Sequence, residues 1–207
     1  MDKIKRSCID CGVKNCDKME KFYPEFCLTT HMDSAILEEA MNCYHEKENR
    51  QVAIVSAEVE AEHYLQYTRV QEIMEFANKM QVKKLGIATC VGLLRESRTL
   101  AGIFRKHGFD VYGIACKAGT RRKTEIGIPE ECSRIGVNMC NPILQAKILN
   151  EEKTDLNVVM GLCVGHDSLF YKYSDALVTT CVTKDRVLGH NPAAALYTVD
   201  SYYKDKL

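Results

Sequence analysis

The chain has 207 residues, and its 28 lysines and arginines balance its 28 aspartates and glutamates, so the net charge is zero. This length suits one α/β domain with a small additional module, and the balanced charge argues against nucleic acid as a partner. The longest apolar runs are strand-sized, which argues against a membrane-spanning helix, and eleven cysteines in a chain expected to be cytoplasmic favour metal or redox use over disulfides.

The first thirty residues contain four cysteines in a stretch without hydrophobic periodicity. Cys8, Cys11, Cys16 and Cys27 follow the spacing C-x2-C-x4-C-x10-C, with turn-forming residues between them. Four thiolates can complete a tetrahedral zinc site or an iron–sulfur cluster of the 4Fe-4S type. We therefore predict a metal-binding lobe over residues 1–30 and an α/β domain over residues 31–207. The spacing leaves the choice of metal open.

Helical periodicity begins after this lobe. Asp33 is a predicted N-cap for a helix that runs to about residue 48. A second helix is predicted over residues 57–80, where apolar side chains recur at steps of three and four. The pattern of residues 51–56 is compatible with a short strand or with more helix.

From residue 82 onward, strand-like runs alternate with helical segments. Four apolar runs end at a cysteine, namely 84–90, 111–116, 158–163 and 177–181. Predicted helices cover 93–107, 129–136, 142–152 and 168–173, with another after Pro192, and 137–140 is predicted as a short strand. Such alternation indicates a parallel sheet with right-handed crossovers. We predict a Rossmann-like or flavodoxin-like three-layer sandwich.

The ends of the four apolar runs predict a site lined by thiols. Carboxyl ends of parallel strands share the crevice where such folds bind ligands, so Cys90, Cys116, Cys163 and Cys181 are expected to meet there. Cys140 joins them if its strand belongs to the sheet. Three or four of these thiolates could hold a second cluster. Alternatively, one of them is a nucleophile or persulfide carrier, and Cys163 with His166 as its acid–base neighbour is the first choice.

Other polar residues offer less specific signals. His190 lies in a loop after a predicted strand, where acid–base or ligand roles are available. Arg121, Arg122 and Lys123 could bind an anionic substrate or a partner, or could form a solvated loop. Cys43 is interpreted as a packing residue, and the role of Cys132 is left open. No complete G-x-G-x-x-G pattern supports nucleotide binding.

Three groups of motifs carry a resemblance to a known family. They are the N-terminal cysteine lobe, the segments Gly86-Ile-Ala-Thr-Cys90 and Gly161-Leu-Cys-Val-Gly-His-Asp167, and the ending Lys184-Asp-Arg with Gly189-His-Asn-Pro192. Together they resemble the family called domain of unknown function 1847 over nearly the whole chain. This resemblance implies a cysteine-rich, metal-binding protein and does not identify a reaction.

Two hypotheses from different classes follow. The first is a protein with one or two iron–sulfur clusters that acts in redox or sulfur chemistry, together with a redox partner protein or a small anionic substrate. Such cysteine usage is typical of metabolism that avoids oxygen. The second is a zinc-stabilised binding or regulatory module whose sheet cysteines stay inert. Whether the protein is an enzyme, and its oligomeric state, are left open by the sequence.

Overall fold

The computed structural model describes residues 5–207, which fall into two compact units, the first ending at Ile54 and the second spanning Val55–Leu207. The described part of the predicted metal-binding lobe lies within the first unit, and residues 1–4 of that lobe lie outside the described residues. The boundary between the units lies inside a helix. The predicted division after residue 30 therefore differs from the division into compact units.

The first unit is built from short helices. It contains a 3-10 turn at Cys8–Asp10 and the helices α1 (Asn15–Lys18), α2 (Leu28–His31), α3 (Ser34–Cys43) and the first part of α4 (Lys47–His63). The Asp33 carboxylate caps α3 by accepting the N–H of Ala35 at 2.9 Å, as predicted. None of the described residues 5–54 is buried. Apolar burial within this unit therefore cannot supply its stability.

The helical region before the sheet has a break that periodicity did not reveal. Residues 51–56 lie in α4, and the predicted helix 57–80 is divided between α4 and α5 (Arg69–Lys79). Leu65 adopts a left-handed conformation with φ of 56°. Thr68 then starts α5, and its backbone N–H and hydroxyl both donate to the side-chain oxygen of Gln71, at 3.0 and 2.8 Å. The spacing of apolar residues continues through this turn, so the sequence pattern resembles that of one long helix.

Four parallel strands form the sheet of the second unit. They are β1 (Lys84–Thr89), β2 (Asp110–Ala115), β3 (Leu156–Met160) and β4 (Leu177–Val182), in the order β2-β1-β3-β4. The chain moves from β1 to one side for β2 and then to the other side for β3. The topological switch point, where such folds bind ligands, therefore lies between β1 and β3. This confirms the predicted α/β sandwich.

Helices cover both faces of the sheet. Leu85 and Ile87 of β1 pack on the face covered by α5 and α6 (Leu94–Lys106), around the fully buried Phe104. Ala88 points to the other face, where α7 (Pro142–Glu151) and α8 (His166–Tyr173) pack around Phe170. This alternation follows from the two-residue period of a strand.

The segment between β2 and α7 contains no strand of the sheet. It holds two 3-10 helices, Lys123–Ile126 and Glu130–Ile135, the second of which matches the predicted helical segment. The predicted strand over 137–140 is wrong, because these residues form only one isolated antiparallel bridge, between Asn138 and Arg122. We call residues 120–139 the wall segment. A last helix, α9 (Ala193–Tyr197), follows Pro192 as predicted.

Within residues 5–207, no helix combines the length and the apolar character needed to cross a lipid bilayer.

Candidate thiolate site

A cleft of about 840 Å³ lies at the carboxyl edge of the sheet. It receives residues from the ends of β1, β2 and β3, from the wall segment, from the starts of α7 and α8, and from the loop after β4. Five cysteines line it, Cys90, Cys116, Cys132, Cys140 and Cys163. Cys90, Cys116 and Cys163 were expected at this edge of the sheet, whereas Cys140 was expected here only if its segment formed a strand of the sheet.

Cys90 and Cys116 are fixed by the strands that they follow. The backbone N–H of Cys90 donates to the Met160 carbonyl at 3.1 Å, and that of Cys116 donates to the Thr89 carbonyl at 2.8 Å. These bonds continue the ladder of the sheet by one residue beyond its ends. The Cys116 sulfur also accepts the backbone N–H of Val91 at 3.3 Å. Both thiols are buried at the base of the cleft.

Gln145 of α7 connects the ends of β1 and β2, which these two cysteines follow. Its side-chain amide is fully buried and donates to the carbonyls of Thr89 and Ile114, at 3.1 and 2.8 Å. The glutamine thus connects β1 and β2 next to their cysteines. Sequence reasoning missed this role, because a single glutamine within a predicted helix carries no signal of burial.

Cys140 enters the cleft from the start of α7. The next residue, Asn141, caps this helix as predicted by accepting the Leu144 N–H at 2.9 Å through its side chain. The Asn141 backbone N–H donates to the Cys116 carbonyl at 2.8 Å. These contacts, and not a strand in the sheet, bring Cys140 next to Cys116.

Cys163 is placed by a tight turn after β3. Gly161 has φ of 65°, and a Cβ on this residue would lie 2.2 Å from Leu93 Cδ1, so only glycine fits without a shift. The Cys163 sulfur accepts a hydrogen bond from the guanidinium of Arg186 at 2.9 Å. The sequence paired Cys163 with His166. In the structure, the His166 side chain instead contacts Cys140.

The three innermost thiols shift one another's pKa. A hydrogen bond with Cys116 lowers the pKa of Cys90 to about 5, and the ammonium of Lys184 acts in the same direction. Contacts with Cys116 and then His166 lower the pKa of Cys140 to about 3. Contacts with Cys140 and then with Cys90, together with burial, raise the pKa of Cys116. Cys116 therefore keeps its proton while its two neighbours ionise.

The hydrogen bond with Cys140 raises the pKa of His166, which favours the imidazolium. His166 begins α8, and its backbone N–H donates to the Cys163 carbonyl at 2.9 Å. It therefore lies beside two of the cleft cysteines, in contact with one through its ring and with the other through its backbone.

The cleft carries an excess of cations. Its lining includes Lys117, Lys123, Lys184 and Arg186 against the single carboxylate of Asp185. Among the described residues, no carboxylate oxygen lies within 4.0 Å of any of these four cations. Of the three basic residues predicted to bind an anion, only Lys123 lines the cleft. Arg121 pairs with Glu125 at 2.9 Å instead.

Cys181 does not share the cleft, which corrects the prediction that it would. The strand β4 continues through Val182, so Cys181 lies within the strand and not after it. Its side chain packs against the core on the α5 and α6 face, opposite the face that Cys90 and Cys116 contact. Burial raises its pKa. Strand alternation therefore separates Cys181 from the other thiols.

The N-terminal cysteines are reduced and lie near the surface. Cys8 and Cys16 are exposed, and Cys11 and Cys27 are partly exposed. The only three ligand atoms within 4.8 Å of one another in the part of the chain that the structure describes come from Glu62, His63 and Glu75. No three of the N-terminal sulfurs are therefore that close together. Their joint binding of a metal stays a prediction.

The remaining predicted residues fall in different places. His190 lines the cleft, and so does Cys132, whose role the sequence left open. Cys43 is exposed at the end of α3. The group formed by Glu62, His63 and Glu75 was not predicted as a site, and its Glu62 carboxylate already pairs with Lys79 at 2.9 Å.

The fold and the cleft define an α/β protein that gathers free thiols and cations at the switch point of a parallel sheet. The chain belongs to the family described as protein of unknown function (DUF1847), which matches residues 27–181. It is 49% identical over 164 residues to the uncharacterized protein MJ0455 of Methanocaldococcus jannaschii, an alignment that covers 79% of this chain and 83% of that protein. The matched family region includes every cysteine of the cleft and excludes Cys8, Cys11 and Cys16.

Proposed function

We propose that this protein binds an iron–sulfur cluster in the cleft and uses it in redox or sulfur chemistry, with Cys90, Cys116, Cys140 and Cys163 as the ligands. The observation that carries the proposal is that these four thiols, from four separate segments of the chain, line one cleft. Iron–sulfur clusters of the 4Fe-4S type take four cysteine thiolates as ligands.

The surroundings of the sulfurs support a cluster. The Cys116 sulfur accepts a backbone N–H, and the Cys163 sulfur accepts an Arg186 N–H. Hydrogen bonds to the sulfurs are among the features by which proteins set cluster potentials. The neighbouring cations would balance the negative charge of four thiolates. His166 lies beside Cys140 and could carry a proton to or from a bound substrate.

The cleft sulfurs do not form a closed tetrahedral zinc site as they stand. Zinc–sulfur bonds of about 2.3 Å place the sulfurs of a tetrahedral site about 3.8 Å apart. In the described residues, no three cleft sulfurs lie within 4.8 Å of one another.

A second centre at Cys8, Cys11, Cys16 and Cys27 completes the proposal. These residues lie in a unit whose described residues are all at least partly exposed. Four thiolates bound to one metal centre would supply the stability that packing does not. A zinc ion or a cluster would serve this purpose.

The test is purification of the full chain without oxygen, followed by visible absorption spectroscopy and by iron, sulfide and zinc analysis. A brown protein that contains iron and acid-labile sulfide is expected. A colourless protein that contains zinc alone would overturn the cluster and support a zinc-stabilised binding or regulatory module. EPR of the reduced protein identifies the type of cluster.

A further inference from the structure

The cleft has an apolar side that cluster binding does not use. Aliphatic side chains from the wall segment, α7 and α8 line it, namely Ile126, Ile128, Ile135, Met139, Ile143 and Leu169. Two of them face solvent to a large extent, since Ile126 is 62% and Ile135 is 83% exposed. An apolar lining with a few polar and charged groups is typical of a small-molecule site.

The wall segment is held in place by polar contacts. Lys123 is only 8% exposed, and its ammonium donates to the Cys132 carbonyl at 2.6 Å. The backbone N–H of Lys123 donates to the Val137 carbonyl at 3.0 Å, and that of Met139 donates to the Arg121 carbonyl at 2.9 Å. The apolar side of the cleft is therefore formed before any ligand binds.

The loop after β4 contributes two cations, Lys184 and Arg186, to the lining of the same cleft. The Asp185 carboxylate accepts the N–H groups of Val187 and Leu188, at 2.9 and 2.7 Å, which fixes the turn that carries Lys184 and Arg186. The Nδ1 atom of His190 accepts the Asp185 N–H at 3.1 Å. Its Nε2 atom is thus left as the donor of the neutral ring.

From this arrangement we propose that the cleft binds a small amphipathic anion, a carboxylate with an aliphatic body. Arg186 and Lys184 bind the carboxylate, and Ile126 and Ile135 contact the aliphatic body. Charge complementarity selects this ligand, because among the described residues neither Arg186 nor Lys184 has a carboxylate partner within 4.0 Å. The inference deepens the proposed function by naming a substrate class for the same cleft, and it rests on that cleft being the working site.

The first test compares three probes by isothermal titration calorimetry on the full chain, purified without oxygen. Octanoate should bind, and octylammonium, which has the same body and the opposite charge, should bind at least tenfold more weakly. Affinity should rise roughly fourfold for each methylene added between propionate and octanoate, since each buried methylene contributes about 0.8 kcal/mol. Equal binding of octanoate and octylammonium, or no binding of octanoate, would overturn the proposal.

Two pairs of variants test the two sides of the cleft. Arg186→Gln should weaken octanoate binding roughly tenfold or more, whereas Arg134→Gln, an exposed residue of the wall segment outside the lining, should not. Ile135→Asn should weaken octanoate binding and leave propionate binding unchanged, and Ile36→Asn, an exposed isoleucine of the first unit, should change neither. Ile135 is exposed, so its variant should fold even if Arg186→Gln does not. Equal losses in the test and control variants would refute the assignment.

Metal analysis of the same samples separates this inference from the proposed function. A protein without iron that binds octanoate would reject the cluster and retain the anion site. An iron-loaded protein that does not bind octanoate would do the reverse.

Discussion

Cys116 lies between two other sulfurs, and this position determines the state of all three thiols. It contacts Cys140 and Cys90, which both ionise more readily than an ordinary cysteine, while Cys116 itself holds its proton more tightly. Three thiolates side by side would repel one another without a positive charge among them. A metal cation bound by the three sulfurs would supply this positive charge and replace the proton of Cys116.

The first prediction concerns the pH dependence of alkylation in protein stripped of metal. A thiol reacts as the thiolate, which is fully formed above its pKa. The pKa of Cys140 is about 3, so its rate with iodoacetamide should be constant between about pH 6 and 9. The pKa of Cys181 is raised by burial, so its rate should increase about tenfold per pH unit over the same range. Peptide mass spectrometry of timed samples measures both rates.

Cys181 is the internal control, because both thiols are partly buried. Slopes that are the same for the two residues would contradict the charge distribution of the cleft. His166→Asn should raise the pKa of Cys140, since the imidazolium that stabilises the thiolate is lost, although the larger contribution of Cys116 remains.

The second prediction concerns the turn at Gly161. Gly161→Ala should lower the free energy of unfolding by about 2 kcal/mol or more, because φ is positive and the new Cβ would meet Leu93. Gly102→Ala is the matched control, since this glycine lies within α6 with open space around its Cβ position. That control should raise stability by roughly 0.5–1 kcal/mol. Chemical denaturation measures both, and a neutral Gly161→Ala would show that the turn into Cys163 is not constrained.

The strands could be predicted from the sequence, whereas the contacts between loops could not. Apolar runs bounded by turn residues marked β1 and β2, and the thiols that follow them are in the cleft. The prediction that Cys181 ends its strand was wrong, because β4 continues through Val182. A register shift opposite Val159 and Met160 accompanies this, and no local sequence pattern signals it. His166 contacts Cys140, which lies in a loop on the other side of α7 and β3 in the chain. Because Cys163 is close to His166 in sequence, the sequence predicted Cys163 as its partner instead.

The cap of α7 gives a prediction for an element. Asn141→Ala should reduce the free energy of unfolding by about 1 kcal/mol, because the Leu144 N–H loses its acceptor. Asn141→Ser should recover most of this loss, since serine is also a favourable N-cap. Thermal or chemical denaturation is the measurement. Equal losses in the two variants would mean that the side chain of Asn141 stabilises something other than the helix start.

The whole molecule consists of a unit with a conventional core and a unit without buried residues in its described part. The core of the second unit followed from hydrophobic periodicity, so its fold class could be predicted. The state of the first unit could not be predicted in the same way, because four thiols in a segment without a core predict a metal centre but not its geometry.

Cys11→Ser tests whether a metal centre holds the first unit together. The variant should lose the metal of one centre and become sensitive to protease up to about residue 26, because metal binding and folding are one event in such a unit. Metal analysis and limited proteolysis with mass spectrometry are the measurements. Cys43→Ser, an exposed cysteine of the same unit outside the predicted ligand set, is the control. A Cys11→Ser protein with the wild-type metal content and protease resistance would reject the centre.

In the second unit, we propose that Cys90, Cys116, Cys140 and Cys163 hold the iron–sulfur cluster and that Cys181 does not. The most direct measurement is the iron and acid-labile sulfide content per chain of Cys116→Ser and Cys181→Ala, purified side by side without oxygen. Cys116→Ser should lose the iron of one cluster, because the thiol between Cys90 and Cys140 is gone. Cys181→Ala should keep the wild-type content, because that thiol packs on the opposite face of the sheet. Wild-type iron in Cys116→Ser, or an equal loss in both variants, would rule out a cluster held by the cleft thiols.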